Sequence, residues 1–217
     1  MSTTQSPNIP AHLTAKGAQR VQELIDAATE LFLERGFDAV AVDDLIARVG
    51  GSRRNIYCHF GGKDGLFIAA MTQLCAEIAA PMEMLNIGEK DPRTALSTFG
   101  RQLLKTLLDP RTLAAHRLMI AESKRFPDVS RAMYQAGPAK VINAVAQWIE
   151  DRQSDPDGTI TSQQQASVLA DQFIYLVIGH SQLSVLVGLQ PQPTGEAEIR
   201  NIVDSAVTTF LHGIQTK

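Results

Sequence analysis

Two glycine pairs, Gly50-Gly51 and Gly61-Gly62, bracket the run Ser52-Arg53-Arg54-Asn55-Ile56-Tyr57-Cys58-His59-Phe60. Paired glycines interrupt helix and strand alike, so the run between them must be one short element held between two tight turns. Its apolar residues Ile56 and Phe60 stand four apart, a helical spacing, and Ser52 is placed to cap that helix. Upstream, Val42, Leu45, Ile46 and Val49 predict another short helix over 42–49. Before it, Val21, Leu24, Ile25, Ala28, Leu31 and Phe32 follow helical spacing over 15–35, with Thr14 as N-cap and Gly36 at the C-terminal end. Helices in the order long, short, short, the last two joined by a glycine turn, make a helix-turn-helix unit over 14–62.

The remainder is also periodic at helical spacing. A long helix is expected from Lys63, ended or kinked at Pro81. Further helices are expected over 92–108, 111–125, 128–152 (broken at Gly137-Pro138), 163–188 and 196–213. Ser154-Asp155-Pro156-Asp157-Gly158 and Gln190-Pro191-Gln192-Pro193 are polar loops. The expected fold class is therefore all-α. Residues 1–13 form a flexible arm, 14–62 the helix-turn-helix domain, and 63–217 a larger helical regulatory and dimerisation domain.

Charge is distributed unevenly. The chain carries a net charge of −3, yet Arg48, Arg53, Arg54 and Lys63 fall in a stretch with no Asp or Glu, and Lys16 and Arg20 precede the first acidic residue, Glu23. A local basic island on an acidic protein points to a confined anion-binding surface. A helix that enters the major groove needs basic and polar residues in its first turn, and Arg53, Arg54 and Asn55 stand there, with Ser52 just before them. Arginine fits guanine O6 and N7, and asparagine fits adenine N6 and N7. Tyr57, His59 and Lys63 are of the right type to bond phosphates. Double-stranded operator DNA is the partner this implies.

The residues Gly36-Phe37 and then Gly50 through Leu66, with the core Ile56-Tyr57-Cys58-His59-Phe60-Gly61-Gly62-Lys63, resemble the TetR/AcrR family of transcriptional regulators. The resemblance implies that Tyr57, His59 and Lys63 contact phosphates and that Arg53, Arg54, Asn55 and Cys58 face bases or nearby phosphates. Two positions depart from the pattern: Ala41 stands where a capping Thr or Ser is usual, and Gly51 where Val is usual in the turn. Asp109-Pro110, His116-Arg117-Leu118, Ala121-Glu122, Arg125-Phe126-Pro127, Tyr134 and Gly137-Pro138 resemble an AefR-type C-terminal domain, a group associated with efflux control. Such resemblance implies a homodimer, a ligand cavity in the C-terminal domain, and a ligand-driven tilt of the helix that starts at Lys63.

The expected function is that of a homodimeric repressor, released from a palindromic operator by a small hydrophobic molecule and controlling an efflux or catabolic operon. Met71, Phe99, His116, Met119, Trp148, Phe173 and Tyr175 are the candidate lining of an effector cavity, with Met82 and Met84 also considered. Each has ordinary core packing as its competing explanation, and so does His180. The helices at 163–188 and 196–213 are apolar around much of their circumference, which calls for a second copy to cover them. Cys58 raises the alternative of a redox-sensing regulator, and a helical protein-interaction module is the other alternative. The sequence has no nucleophile elbow, phosphate-cradling glycine loop or metal-ligand spacing, so neither an enzyme, a cofactor nor a metal is expected. Residues 173–189 are the most apolar run and are interrupted by Gly179, His180, Ser181, Gln182 and Ser184, so no membrane span is expected. Two cysteines without disulfide spacing and no apolar leader suggest a cytoplasmic protein.

Overall fold

The computed structural model describes residues 15–83, 91–155, 160, 162, 164–192 and 195–214. The expected arm over 1–13, and Thr14 as a cap, lie outside them. Among the described residues every regular element is a helix: α1 (Ala15–Arg35), α2 (Val42–Val49), α3 (Arg53–Phe60), α4 (Lys63–Glu83), α5 (Pro92–Leu108), α6 (Pro110–Glu122), α7 (Pro127–Ala136), α8 (Pro138–Gln153), α9 (Ala166–Leu186) and α10 (Glu196–Ile214). The all-α fold class follows. The break at Gly137 falls where expected, and α9 starts three residues later than expected. Helix α4 is not ended at Pro81 but runs to Glu83. The helix continues through the proline, which removes one backbone donor without ending it.

The described residues form two compact units. The first takes those within 1–75 together with 114–133; the second takes those within 76–113 and 134–217. The first is larger than the helix-turn-helix segment 14–62, and the reason is a cluster of four phenylalanines. Phe32, Phe37 and Phe67 meet with ring centroids 5.0–5.7 Å apart. Phe126, just after α6, joins them at 5.1 Å from Phe37 and 4.7 Å from Phe67. Burying an aromatic ring is worth several times a single polar contact, so this cluster draws in the start of α4 and the segment around Phe126. The apolar stripe of α1 is fully used: Val21, Leu24, Ile25, Ala28, Leu31 and Phe32 are all buried.

The core of the second unit is built from α5, α8, α9 and α10, through Leu96, Phe99, Leu104, Val145, Ile149, Phe173, Val203 and Phe210 among others. At its rim Lys105 Nζ donates to Glu196 at 2.5 Å and Arg93 Nη1 donates to Thr208 Oγ1 at 2.9 Å, tying α5 to α10.

The apolar residues of α10 find cover within the chain itself. Ile199, Val203, Ala206, Val207, Phe210 and Leu211 are already buried within their own unit. Helix α9 differs. Phe173 and Val177 point inward, while Val168, Tyr175, Leu176, Leu183 and Val187 stand exposed.

Candidate nucleic-acid interface

Helix α3 owes its limits to the glycine pairs. Gly50 and Gly51 have φ of 71° and 115°, and Gly61 closes the helix in the left-handed conformation at φ 73°. Gly61 N–H donates to the Tyr57 carbonyl at 2.9 Å. Gly51 adopts a positive φ in which a β-branched side chain such as the usual valine would be strained. Ser52 occupies the N-cap position in extended geometry, but its side chain makes no capping bond, contrary to expectation. The hydroxyl is therefore exposed at the start of the helix.

Helix α2 solves the Ala41 problem by half a capping box. Alanine has no acceptor, but the Asp44 carboxylate accepts from the Ala41 N–H at 2.9 Å. Asp43 and Asp44 in the first turn also suit the helix dipole.

Within α3 only Ile56 is fully buried, with Phe60 half-buried behind it. Ser52, Arg53, Arg54, Asn55, Tyr57, Cys58 and His59 are all exposed, so the helix is fixed by one anchor and presents the rest outward. A groove of about 110 Å³ runs beside it, lined by Arg20, Val49, Gly50, Ser52, Asn55 and His59. Arg20 Nη2 donates to the Val49 carbonyl at 3.3 Å, so a basic residue of α1 braces the turn between α2 and α3.

Lys63 is half-buried. Its ammonium lies 4.3 Å from the Phe37 ring centroid and 3.4 Å from the Asp38 carbonyl oxygen. Arg53, expected to face a base, forms a two-point ion pair with Asp43, Nε donating to Oδ1 at 2.8 Å and Nη2 to Oδ2. That hydrogen bond holds the Asp43 carboxyl below its usual range. Sequence reasoning missed Asp43 altogether, because ten positions separate it from Arg53 and only the α2–α3 crossing brings them together.

The candidate effector residues divide between the units. Met71 and Met119 are buried in the first, and His116 is partly buried there, its pKa lowered by desolvation. Phe99, Trp148 and Phe173 are buried in the second. Tyr175 does not belong with them. At 68% exposure it faces away from the core, because two residues beyond Phe173 is the opposite side of a helix. His180 is exposed as well, in an open hollow with Gln190, Glu198 and Asn201. Met82 and Met84 fall where side chains are not described. Trp148 Nε1 is buried and, among the described residues, meets no acceptor; the Arg152 guanidinium lies 3.9 Å from its ring centroid. Cys58 is exposed and Cys75 buried, with burial pushing the Cys75 thiol up to about 12.

Residues 24–70 match the model for bacterial regulatory proteins of the tetR family. Residues 94–213, more than half of the chain, match the AefR-like transcriptional repressor C-terminal domain. The chain belongs to the TetR family, in its AefR-like branch. Among its relatives, the HTH-type transcriptional repressor Rv3405c of Mycobacterium tuberculosis is 29% identical over 121 residues, covering 53% of this chain and 57% of that protein. The chain thus spans a little over half the length of the curated relatives it matches. Among solved structures, a TetR-family regulator from Mesorhizobium loti has a TM-score of 0.78 at 22% identity, with 94% of this chain and all of that one covered. The Flavonoid-responsive Regulator FrrA has a TM-score of 0.73 at 28% identity, with 92% and 99% covered. The TetR family is one of transcriptional regulators and not of enzymes. No helix among the described residues is long and apolar enough to cross a membrane.

Proposed function

We propose that this TetR-family protein is a homodimeric repressor that reads a palindromic operator with α3 and lets go when an uncharged or weakly polar organic molecule binds its helical C-terminal half. The observation that carries the reading is the division within α3, where Ile56 is buried and the polar and basic residues from Ser52 to His59 are exposed. Base reading falls to Arg53, Arg54 and Asn55, with Ser52 and Cys58 beside them, and phosphate contact to Tyr57, His59 and Lys63.

The exposed apolar stripe of α9 (Val168, Tyr175, Leu176, Leu183, Val187) supports a dimer, since such a patch is rarely left in water. Twofold symmetry would then set two copies of α3 about 34–36 Å apart or somewhat more, one for each half-site. For the effector, the buried indole N–H of Trp148 supports a ligand carrying an acceptor, since an unmet buried donor costs about 1–3 kcal/mol. The name of FrrA, a regulator responsive to flavonoids, supports a planar aromatic compound as the first class to try.

The test is a gel shift with the intergenic region beside the protein's own gene. Specific retardation, abolished by an unlabelled copy of the same duplex, is expected. Arg54→Ala should weaken operator binding by about 1–3 kcal/mol, while Lys63→Ala weakens all sequences alike and flattens the salt dependence. Undiminished binding by both variants would sink the assignment of α3. Aromatic compounds are then titrated with and without operator. A hundredfold release demands about 2.7 kcal/mol of coupling, and an effector whose affinity is the same in both titrations is no effector.

A further inference from the structure

The ion pair between Arg53 and Asp43 carries an inference that rests on α3 being the reading helix. Asp43 meets the guanidinium side-on, with Nε donating to Oδ1 and Nη2 to Oδ2. A side-on carboxylate occupies one edge of the fork. Three N–H groups remain, two on Nη1 and one on Nη2, and the end-on pair among them, one from each nitrogen, can bond guanine O6 and N7 together.

Stability is a poor explanation for this pair. The Arg53 side chain is 67% exposed and that of Asp43 63%, and ion pairs in water add little to folding. What an exposed two-point pair does well is fix a direction. A free arginine gives up rotamer freedom when it is pinned, so an arginine held beforehand binds its base without that loss. Asp43 also places a negative charge beside the phosphates of any DNA docked on α3. It therefore weakens binding to every sequence alike, and only where the arginine finds its guanine is that loss offset.

We propose that Arg53 reads one guanine of each half-site end-on, and that Asp43 is the positioning residue that aims it and so sets specificity at that base pair. The competing account of the same geometry is that Asp43 simply neutralises Arg53 and takes it away from DNA. The two predict opposite behaviour when the carboxylate is removed.

The experiment starts with the full-length parent protein selecting duplexes from a randomised pool. Affinities for the selected duplex and a scrambled one are then measured at one salt concentration for the parent, Asp43→Asn and Arg53→Lys. Both variants should lose about tenfold or more of the preference at one and the same G·C pair. Asp43→Asn should at the same time bind the scrambled duplex more tightly than the parent does. Asp43→Glu, which keeps the carboxylate, should recover part of the preference. A second measurement needs no variant: 7-deazaguanine at that pair should weaken the parent about tenfold and the Asn variant hardly at all. If Asp43→Asn binds the selected duplex more tightly with its preference intact, Asp43 is a brake and the proposal fails. It fails too if 7-deazaguanine is tolerated by the parent at every guanine. A parent that selects no duplex overturns the reading of α3 itself, an outcome distinct from both.

Discussion

The guanidinium of Arg125 lies 4.3 Å from the ring centroid of Phe37, while its Nη1 donates to Asp38 at 2.9 Å. Its Nη2 lies 3.8 Å from Asp64 at the start of α4, and 5.5 Å separates the group from the Phe126 ring. One side chain from the turn between α6 and α7 thus covers the aromatic cluster of the first unit and neutralises two carboxylates. A cation–π contact made by a half-exposed side chain contributes about 0.5–1 kcal/mol and a surface ion pair about 0–1 kcal/mol. Arg125→Ala should therefore cost about 1–2 kcal/mol in urea unfolding. Arg125→Met, which keeps the stem over Phe37, should cost about half as much. If the Met variant is as damaged as the Ala variant, charge and not packing carries the contact.

Gly65 is required by space, and Gly36 by conformation. A Cβ at Gly65 would stand 1.7 Å from the Phe60 carbonyl oxygen, a backbone atom that cannot turn aside. Gly36, at φ 79°, has nothing within 4 Å of its would-be Cβ. Gly36→Ala should cost about 1–2 kcal/mol, the strain of the left-handed conformation alone. Gly65→Ala should cost more than about 3 kcal/mol or prevent folding of the first unit. Equal urea midpoints for the two variants would show that α3 and α4 can separate at that turn without loss.

Much of this was legible in the sequence, and the failures share a cause. The limits of α2 and α3 could be read because glycine punctuates by backbone conformation, which is local. The inward face of α1 could be read because its apolar residues form one stripe. Helix α9 has no single stripe, so the pattern could not tell Phe173, buried, from Tyr175, exposed. Asp43 and Arg125 were invisible as partners of Arg53 and Phe37, because those pairings depend on how helices cross and not on any spacing along the chain. Proline at position 81 does not end α4, since the loss of one backbone donor does not by itself stop a helix.

His116 gives the first unit a definite pH response. Burial disfavours its charged form, so its folded pKa lies below the ordinary value. The unfolded chain then takes up the proton first, near pH of about 6.5. Stability from keeping this imidazole neutral is present above that pH and is lost as pH falls through it, levelling off below the folded value. Urea midpoints measured from pH 8 to pH 5 should fall in the parent and fall less in His116→Gln. Parallel curves for the two proteins would mean that other groups set the response.

Gly100 of α5 lies close against α9 and α10. A Cβ there would lie 2.9 Å from Val203 Cγ1 on α10, 3.5 Å from Val177 Cγ2 and 3.7 Å from Phe173 Cζ on α9. A mid-helix glycine costs about 1 kcal/mol relative to alanine, so something must offset it, and the offset is the depth to which Val203 packs. Gly100→Ala regains that propensity but overpacks the contact, at about 1–3 kcal/mol. The single variant should thus be neutral to moderately destabilised. Val203→Ala alone opens a void over the glycine and should be destabilised as core truncations are. Combined, the new methyl enters the space the valine vacates, so the double variant should be more stable than the two separate losses add up to. A coupling of about 0.5–3 kcal/mol of that sign is expected from a cycle of urea unfolding curves. Strict additivity would mean that α5 and α10 shift apart freely, and that the glycine is not what lets them meet.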